Sequence, residues 1–310
     1  MWPRALTAYA RSLALGSLEN PSPSPQCQAA HGLDGGARAR QRTGRLRRAG
    51  LQEQLQAVRA GDRGGQLTSL RLDRHLGVDE SKILFIEHHL AHLAATYFTA
   101  PSPLSGKPVL GLTCDGAGDG LCATVSRCLD NNIERLAATD RHASLGKIYS
   151  RVTFLLGMTP WEHEYKLMGL APYVDPDRSK SAAGKLRELL KVRADGLGFD
   201  QVGELSTNYC YEYLRDAFER IRFDTIAGAT QMFTEEMLVE WVRGAIRETG
   251  LTDIVAGGGV FMNVKANMLI ANLPEVTSFY VMPSAADESL SIGAALYRYY
   301  QLEGRTDHRD

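Results

Sequence analysis

The chain has 310 residues, 44% of them hydrophobic and 23% charged, with a formal net charge of −1. That balance supports a globular domain with a sizeable core and gives no bulk electrostatic pull toward nucleic acid or a membrane surface. No apolar run reaches the roughly 18 residues of a membrane span, so a cytoplasmic protein with no nucleic-acid and no membrane partner is expected.

The first 80 residues read differently from the rest. Residues 1–50 hold eight arginines, no lysine and two acidic residues, Glu19 and Asp34. A Pro-Ser-Pro-Ser-Pro stretch and a Gly/Arg-rich stretch follow no strand or helix period, so residues 1–80 are expected to be disordered or an aberrant reading of the gene. A transit peptide is the alternative for the Arg-rich start. Leu51, Leu55 and Val58 fall at helical spacing and read as the remnant of a helix. The five cysteines, Cys27, Cys114, Cys122, Cys128 and Cys210, form no C-x-x-C pair and read as reduced thiols.

From Ile83 the patterning becomes regular. The apolar run Ile83–Ile86 leads into a small-residue helix that carries His88, His89 and His92. His88 and His92 are four apart and share one helix face, which suits two ligands of one metal ion or two core histidines. Val109–Thr113 reads as a buried strand ending in Asp115-Gly116-Ala117-Gly118-Asp119-Gly120, and Leu121–Val125 as a returning strand. Such a strand end is either a tight hairpin, or a hairpin whose bare amides face a phosphate while a carboxylate faces its cation.

Residues 146–156 read as a helix stopped by Gly157. In the segment Trp161–Pro172, Glu164 and Lys166 fall on one side of an extended chain, placed for a ribose hydroxyl and a phosphate or for a hinge ion pair. Helices are expected over 182–192, after a cap at Ser206 or Thr207 with the stripe Leu214, Phe218 and Ile221, and over 226–248 with core residues Phe233, Met237, Trp241 and Ala245. A buried strand over 253–256, the triple glycine Gly257-Gly258-Gly259 and Asn263 then open a helix, a context in which amides bind phosphate. Asp287 precedes a last helix over 290–297, where it caps the helix, joins a metal site or does both. Alternating helices and short buried strands make the chain an α/β protein.

Five ordered motifs carry a family resemblance: His-His-Leu-Ala-His, Asp-Gly-Ala-Gly-Asp-Gly, the Trp161–Pro172 segment, Gly-Gly-Val-Phe-Met-Asn, and Asp-Glu-Ser-Leu-Ser-Ile-Gly-Ala-Ala. Together they resemble the carbamoyltransferase family, which includes nodulation-factor, cephamycin and tobramycin O-carbamoyltransferases. The resemblance implies an actin/sugar-kinase-like (ribonuclease H-like) two-lobed ATPase domain over residues 81–300, its first lobe incomplete, with a polar tail over 301–310. It also implies truncation at both ends, because the family's opening phosphate loop has no match and its members continue into a donor-forming domain.

By motif match the metal ligands would be His88, His92, Asp115 and Asp287. Two imidazoles and two carboxylates suit a borderline divalent ion, Fe²⁺ by resemblance. Gly116, Gly118, Asp119, Gly120, Glu164, Lys166, Gly257, Gly258, Gly259 and Asn263 would hold ATP or carbamoyl-adenylate. His89, expected to face outward, would be either the base for the acceptor hydroxyl or merely solvated. The implied activity is O-carbamoyl transfer, using carbamoyl phosphate and ATP, to a small sugar- or antibiotic-like hydroxyl acceptor. A non-catalytic nucleotide- and metal-binding relic is the alternative, and a tRNA-modifying ATPase a weaker third.

Overall fold

The computed structural model describes Gly77, residues 79–101 and residues 106–303. The expectations for residues 1–76, including Cys27 and the Leu51, Leu55, Val58 stripe, lie outside these residues, as does most of the polar tail. Among the described residues, those from Ile86 onward belong to one compact unit and those up to Phe85 to another, which holds a single 3-10 turn, Glu80–Lys82.

The unit from Ile86 is built on a mixed five-stranded sheet. β1 (Val109–Gly118), β2 (Leu121–Leu129) and β3 (Asn132–Asp140) form an antiparallel meander. β6 (Asp253–Gly257) and β7 (Ser278–Val281) are added parallel on the other side of β1, giving the order β3-β2-β1-β6-β7. The β1–β2 turn is formed by Asp119 and Gly120, both at positive φ, 48° and 83°. Such a pair matches the twist of its flanking strands. A separate two-stranded ribbon, β4 (Leu190–Val192) and β5 (Phe199–Gln201), lies in the long crossover from β3 to β6.

Side-chain alternation along β1 sorts the two faces. Leu110, Leu112 and Cys114 point into a large core with Ile148 and Val152 of α2 (Leu145–Leu155) and Phe233, Trp241 and Ala245 of the crossover helix α6 (Phe223–Thr249). Val109 points the other way, into a second core with Leu93, Tyr97 and Phe98 of α1 (His88–Thr99) and Tyr297 and Tyr300 of α8 (Leu290–Glu303). The sheet is therefore sandwiched between helices, and α1 and α8 pack on each other. Helix α6 (Phe223–Thr249) buries Phe233, Met237, Trp241 and Ala245 at four-residue spacing and ends at Gly250 in the left-handed region. Trp241 is fully buried; truncating such a side chain to alanine costs about 3–5 kcal/mol.

The structure differs from three of the sequence expectations. The helix expected over 182–192 is α4 (Pro176–Arg187), started by an Asp175 cap that accepts from Asp177 N and has Pro176 in its first turn; residues 190–192 are instead strand β4. Ser206 caps a 3-10 turn, Thr207–Tyr209, and the helix that follows, α5 (Tyr211–Ala217), stops before Phe218 and Ile221. Residues 164–170 form helix α3 (Glu164–Leu170), not extended chain. The remaining helix, α7 (Val264–Ala271), follows the glycine loop after β6.

Among the described residues no helix is long and apolar enough to cross a membrane. Cys114, Cys122, Cys128 and Cys210 are free and buried, and burial holds their thiols above the ordinary range.

Candidate metal centre

Helix α1 starts directly at the histidines. Glu87 is its N-cap, its carboxylate accepting from the backbone N–H of His89 at 3.1 Å and Leu90 at 2.8 Å. Arg135 of β3 pairs with the same carboxylate, and Asp119 from the β1–β2 turn accepts from His88 N at 2.9 Å. These contacts fix where the first turn of α1 sits against the end of β1.

Asp115 is the residue that the sheet delivers to that turn. The β1–β2 register breaks between Cys114 and Gly118, so Asp115–Ala117 bulge out of the ladder. Asp115 Oδ2 lies 3.2 Å from His88 Nε2, and its Oδ1 accepts from Gly259 N at 2.9 Å. Parallel pairing of Thr113 with Gly257 brings that amide within reach. Asp287, in the 3-10 turn before α8, closes the cluster: its Oδ1 is 3.3 Å from His92 Nε2 and 3.6 Å from His88 Nε2. No side-chain cap bond forms at that turn.

Ligand atoms of His88, His92, Asp115 and Asp287 thus lie within 4.8 Å of one another. The two Nε2 atoms face each other at 3.1 Å. His92 is fully buried and its Nδ1 lies 3.2 Å from Ser289 Oγ, which holds the ring with Nε2 inward. Burial would depress the His88 imidazole, but contact with Asp115 and the charges of Asp115, Asp287 and Glu87 outweigh it and hold its pKa at about 9. Burial would raise the Asp115 carboxyl, yet His88, His92 and His89 together keep it well below the usual carboxylate range. Two imidazoles and two carboxylates, with His92 and Asp115 also held from outside the cluster, fit a borderline divalent cation with nitrogen and oxygen ligands.

Because His88 is protonated at neutral pH before an ion binds, uptake of an ion displaces a proton. Affinity for Mn²⁺ is expected to rise about tenfold per pH unit from pH 7 and to level off near the His88 pKa of about 9. Calorimetry over that range checks this; an affinity independent of pH would contradict it.

Most of the other residues singled out in the sequence are used structurally. Gly118 makes room for a ring: a Cβ there would lie 2.1 Å from His88 Cγ. Gly258 N and Gly259 N, expected to face phosphate, already donate to Ala285 O at 2.9 Å and to Asp115 Oδ1. Asn263, expected at the nucleotide, caps α7 by accepting from Ala266 N at 3.1 Å. It also forms a reciprocal amide pair with the buried Gln231, at 2.8 and 2.9 Å. Glu164 accepts from Trp161 N at 2.8 Å and from Ser150 Oγ at 3.2 Å. Lys166 lies over the Tyr165 ring at 5.8 Å. In a helix, residues two apart diverge by about 200°, so Glu164 and Lys166 do not share a side. Gly116 adjoins Lys147, and Gly120 O accepts from Arg141 N at 3.0 Å.

The outward placement of His89 is overturned. It is fully buried, with Nδ1 2.8 Å from Thr113 Oγ1, which meets Thr124 Oγ1 at 2.5 Å. Burial pushes its imidazole down to about 4, so it is neutral. It braces α1 against the hairpin and does not open toward an incoming hydroxyl. Glu87, Ser289, Gln231 and Lys147 were missed, the last three because each acts through a partner distant in the chain. Only Glu87 carried a local signal, a carboxylate directly before a helix.

The fold and cluster define a mixed α/β domain with a four-residue site suited to one divalent cation. The model of the carbamoyltransferase N-terminus matches residues 63–296. This chain belongs to the carbamoyltransferase N-terminal family. It is 31% identical over 219 residues to an uncharacterised protein of Methanocaldococcus jannaschii, covering 69% of this chain and 40% of that protein. To nodulation protein NolO of Bradyrhizobium diazoefficiens it is 29% identical, over 68% of this chain and 38% of that protein. To NolNO of Sinorhizobium fredii it is 27% identical, over 73% and 32%. It therefore spans about a third to two-fifths of the length of these relatives. Among solved structures, HypF of T. kodakarensis aligns with a TM-score of 0.41 at 18% identity, covering 77% of this chain and 39% of that one.

Proposed function

We propose that this domain carries the transfer step of an O-carbamoyltransferase, moving a carbamoyl group from carbamoyl-adenylate to a hydroxyl of a small-molecule acceptor. The observation that carries the reading is the meeting of His88, His92, Asp115 and Asp287 within 4.8 Å, in a chain of this family. The strand order β3-β2-β1-β6-β7, antiparallel through β1 and parallel beyond it, supports one lobe of an actin-like, ribonuclease H-like ATPase fold. Carbamoyl phosphate and ATP would be joined into the donor by a further domain, in keeping with relatives of more than twice the matched length.

In this reading the four side chains hold an iron(II) or similar ion, which when bound supplies Lewis acidity and charge neutralisation beside the donor. The bulge Asp115–Ala117 offers backbone at the strand end, where a ligand comes closest. The acceptor oxygen forms a bond to the carbamoyl carbon, the bond from that carbon to the phosphate oxygen breaks, and AMP leaves with the electron pair. Asp115 is a poor proton acceptor because its neighbours hold it ionised, and His89 is sealed in the core. The hydroxyl proton accordingly passes to water or to the leaving phosphate.

The test supplies the purified full chain, loaded with iron(II), with synthetic carbamoyl-adenylate and a panel of hydroxyl acceptors. Acceptor-dependent release of AMP, lost in Asp115→Asn, is the expected result. Binding of the donor with no AMP released above spontaneous hydrolysis, whatever the acceptor, would instead leave a non-catalytic nucleotide-binding relic.

A further inference from the structure

We infer that Lys147 and Trp161 form a ligand-gripping pair at the rim of this site, and that the pair takes a purine nucleotide. The Lys147 ammonium would meet the phosphate beside Gly116, and the Trp161 indole would stack on the base. This rests on the transfer reading above and adds two residues that it does not use.

Trp161 is the one aromatic among the described non-glycine residues with positive φ, at +69°. The left-handed region disfavours a bulky side chain, and this indole is 65% exposed, so little burial offsets the strain. The turn is nevertheless held from several sides. Glu164 accepts from Trp161 N and is tied to Ser150 of α2, while Thr159 donates its N–H to His163 Nδ1 at 3.0 Å and accepts from His163 N at 3.0 Å. Strained backbone that its surroundings over-determine, presenting an exposed aromatic, is a mark of function.

Lys147, in the first turn of α2, lies with its Nζ 5.6 Å from the indole centroid. Its Cε and Nζ are 3.7 and 3.8 Å from where a side chain on Gly116 would begin. Gly116 follows Asp115 in the bulge, so the ammonium lies between the indole and the bare backbone next to a cluster residue. Asp115 and Asp287 repel an approaching anion, and the ammonium supplies the opposite sign at the point of entry. An ammonium offers donors only and an indole face offers no hydrogen bond, so the pair suits a flat ring joined to an anionic group. A polyhydroxylated ring needs acceptors as well, and a polycation would be repelled.

Calorimetric titration of the full chain with Mn²⁺ present, using AMP and adenosine as probes, tests this. Lys147→Met is expected to weaken AMP binding about tenfold and to leave adenosine binding unchanged, whereas Lys147→Arg keeps AMP affinity. Trp161→Asn is expected to weaken both ligands about tenfold without lowering Tm, since asparagine tolerates the left-handed backbone. AMP binding unaltered in both Lys147→Met and Trp161→Asn would overturn the inference and leave the transfer reading intact. A chain that binds no AMP before any substitution would overturn both.

Discussion

Replacing His92 by alanine is expected to lower Mn²⁺ affinity at least about a hundredfold, because it removes an imidazole that is already oriented. His92 Nε2 lies 3.1 Å from His88 Nε2 and 3.3 Å from Asp287 Oδ1, and Ser289 fixes the far side of its ring. Removing an outer-shell partner of a metal ligand typically costs about 10–100-fold in affinity, and His92 is itself a ligand. Since His92 is buried, a companion variant guards against simple misfolding. Asp287→Asn changes a side chain that is 63% exposed and leaves the core untouched, yet it too should bind Mn²⁺ at least about tenfold more weakly. Unchanged affinity in Asp287→Asn, with circular dichroism unaltered, would show that the cluster is not the metal site.

Gly293→Ala is expected to be among the most disruptive single-methyl changes in the protein. The added carbon would lie 1.8 Å from Ala91 O, 2.7 Å from Ala91 C and 2.9 Å from Ala95 N, all backbone atoms of α1. No side chain can swing aside, so α8 must move away from α1. The expected cost is about 3 kcal/mol or more, at the upper end for overpacking. Because α1 carries His88 and His92 while Asp287 sits just before α8, metal affinity should fall in the same variant. Gly184→Ala is the contrast: Gly184 lies within α4 with nothing within 4 Å of the added carbon. That change should stabilise by about 0.5–1 kcal/mol. Urea unfolding of both variants measures the difference; equal and small effects would contradict the close approach of α1 and α8.

What could be read from the sequence was what local spacing controls. His88 and His92 at four-residue spacing, an aspartate closing a buried strand, and alternating strands and helices each carry their geometry within a few residues. The Asp119-Gly120 turn was legible for the same reason. The failures arise where a distant partner decides. His89 is adjacent to a ligand, but about 100° round the helix, and only Thr113, 24 residues on, shows that this direction is core. Asn263 looked available for a nucleotide until Gln231, 32 residues away, occupied its amide. Glu164 and Lys166 were read on extended chain because the seven residues Glu-Tyr-Lys-Leu-Met-Gly-Leu show no clear period. The strained turn at Trp161 had no sequence signature, since nothing in the residue itself favours positive φ.

The most direct measurement is an anomalous difference map from crystals of the full chain grown with Mn²⁺. One strong peak is expected within bonding distance of His88 Nε2, His92 Nε2, Asp115 and Asp287. A map with no peak there, or with its peak elsewhere in the domain, would contradict the four-residue metal site.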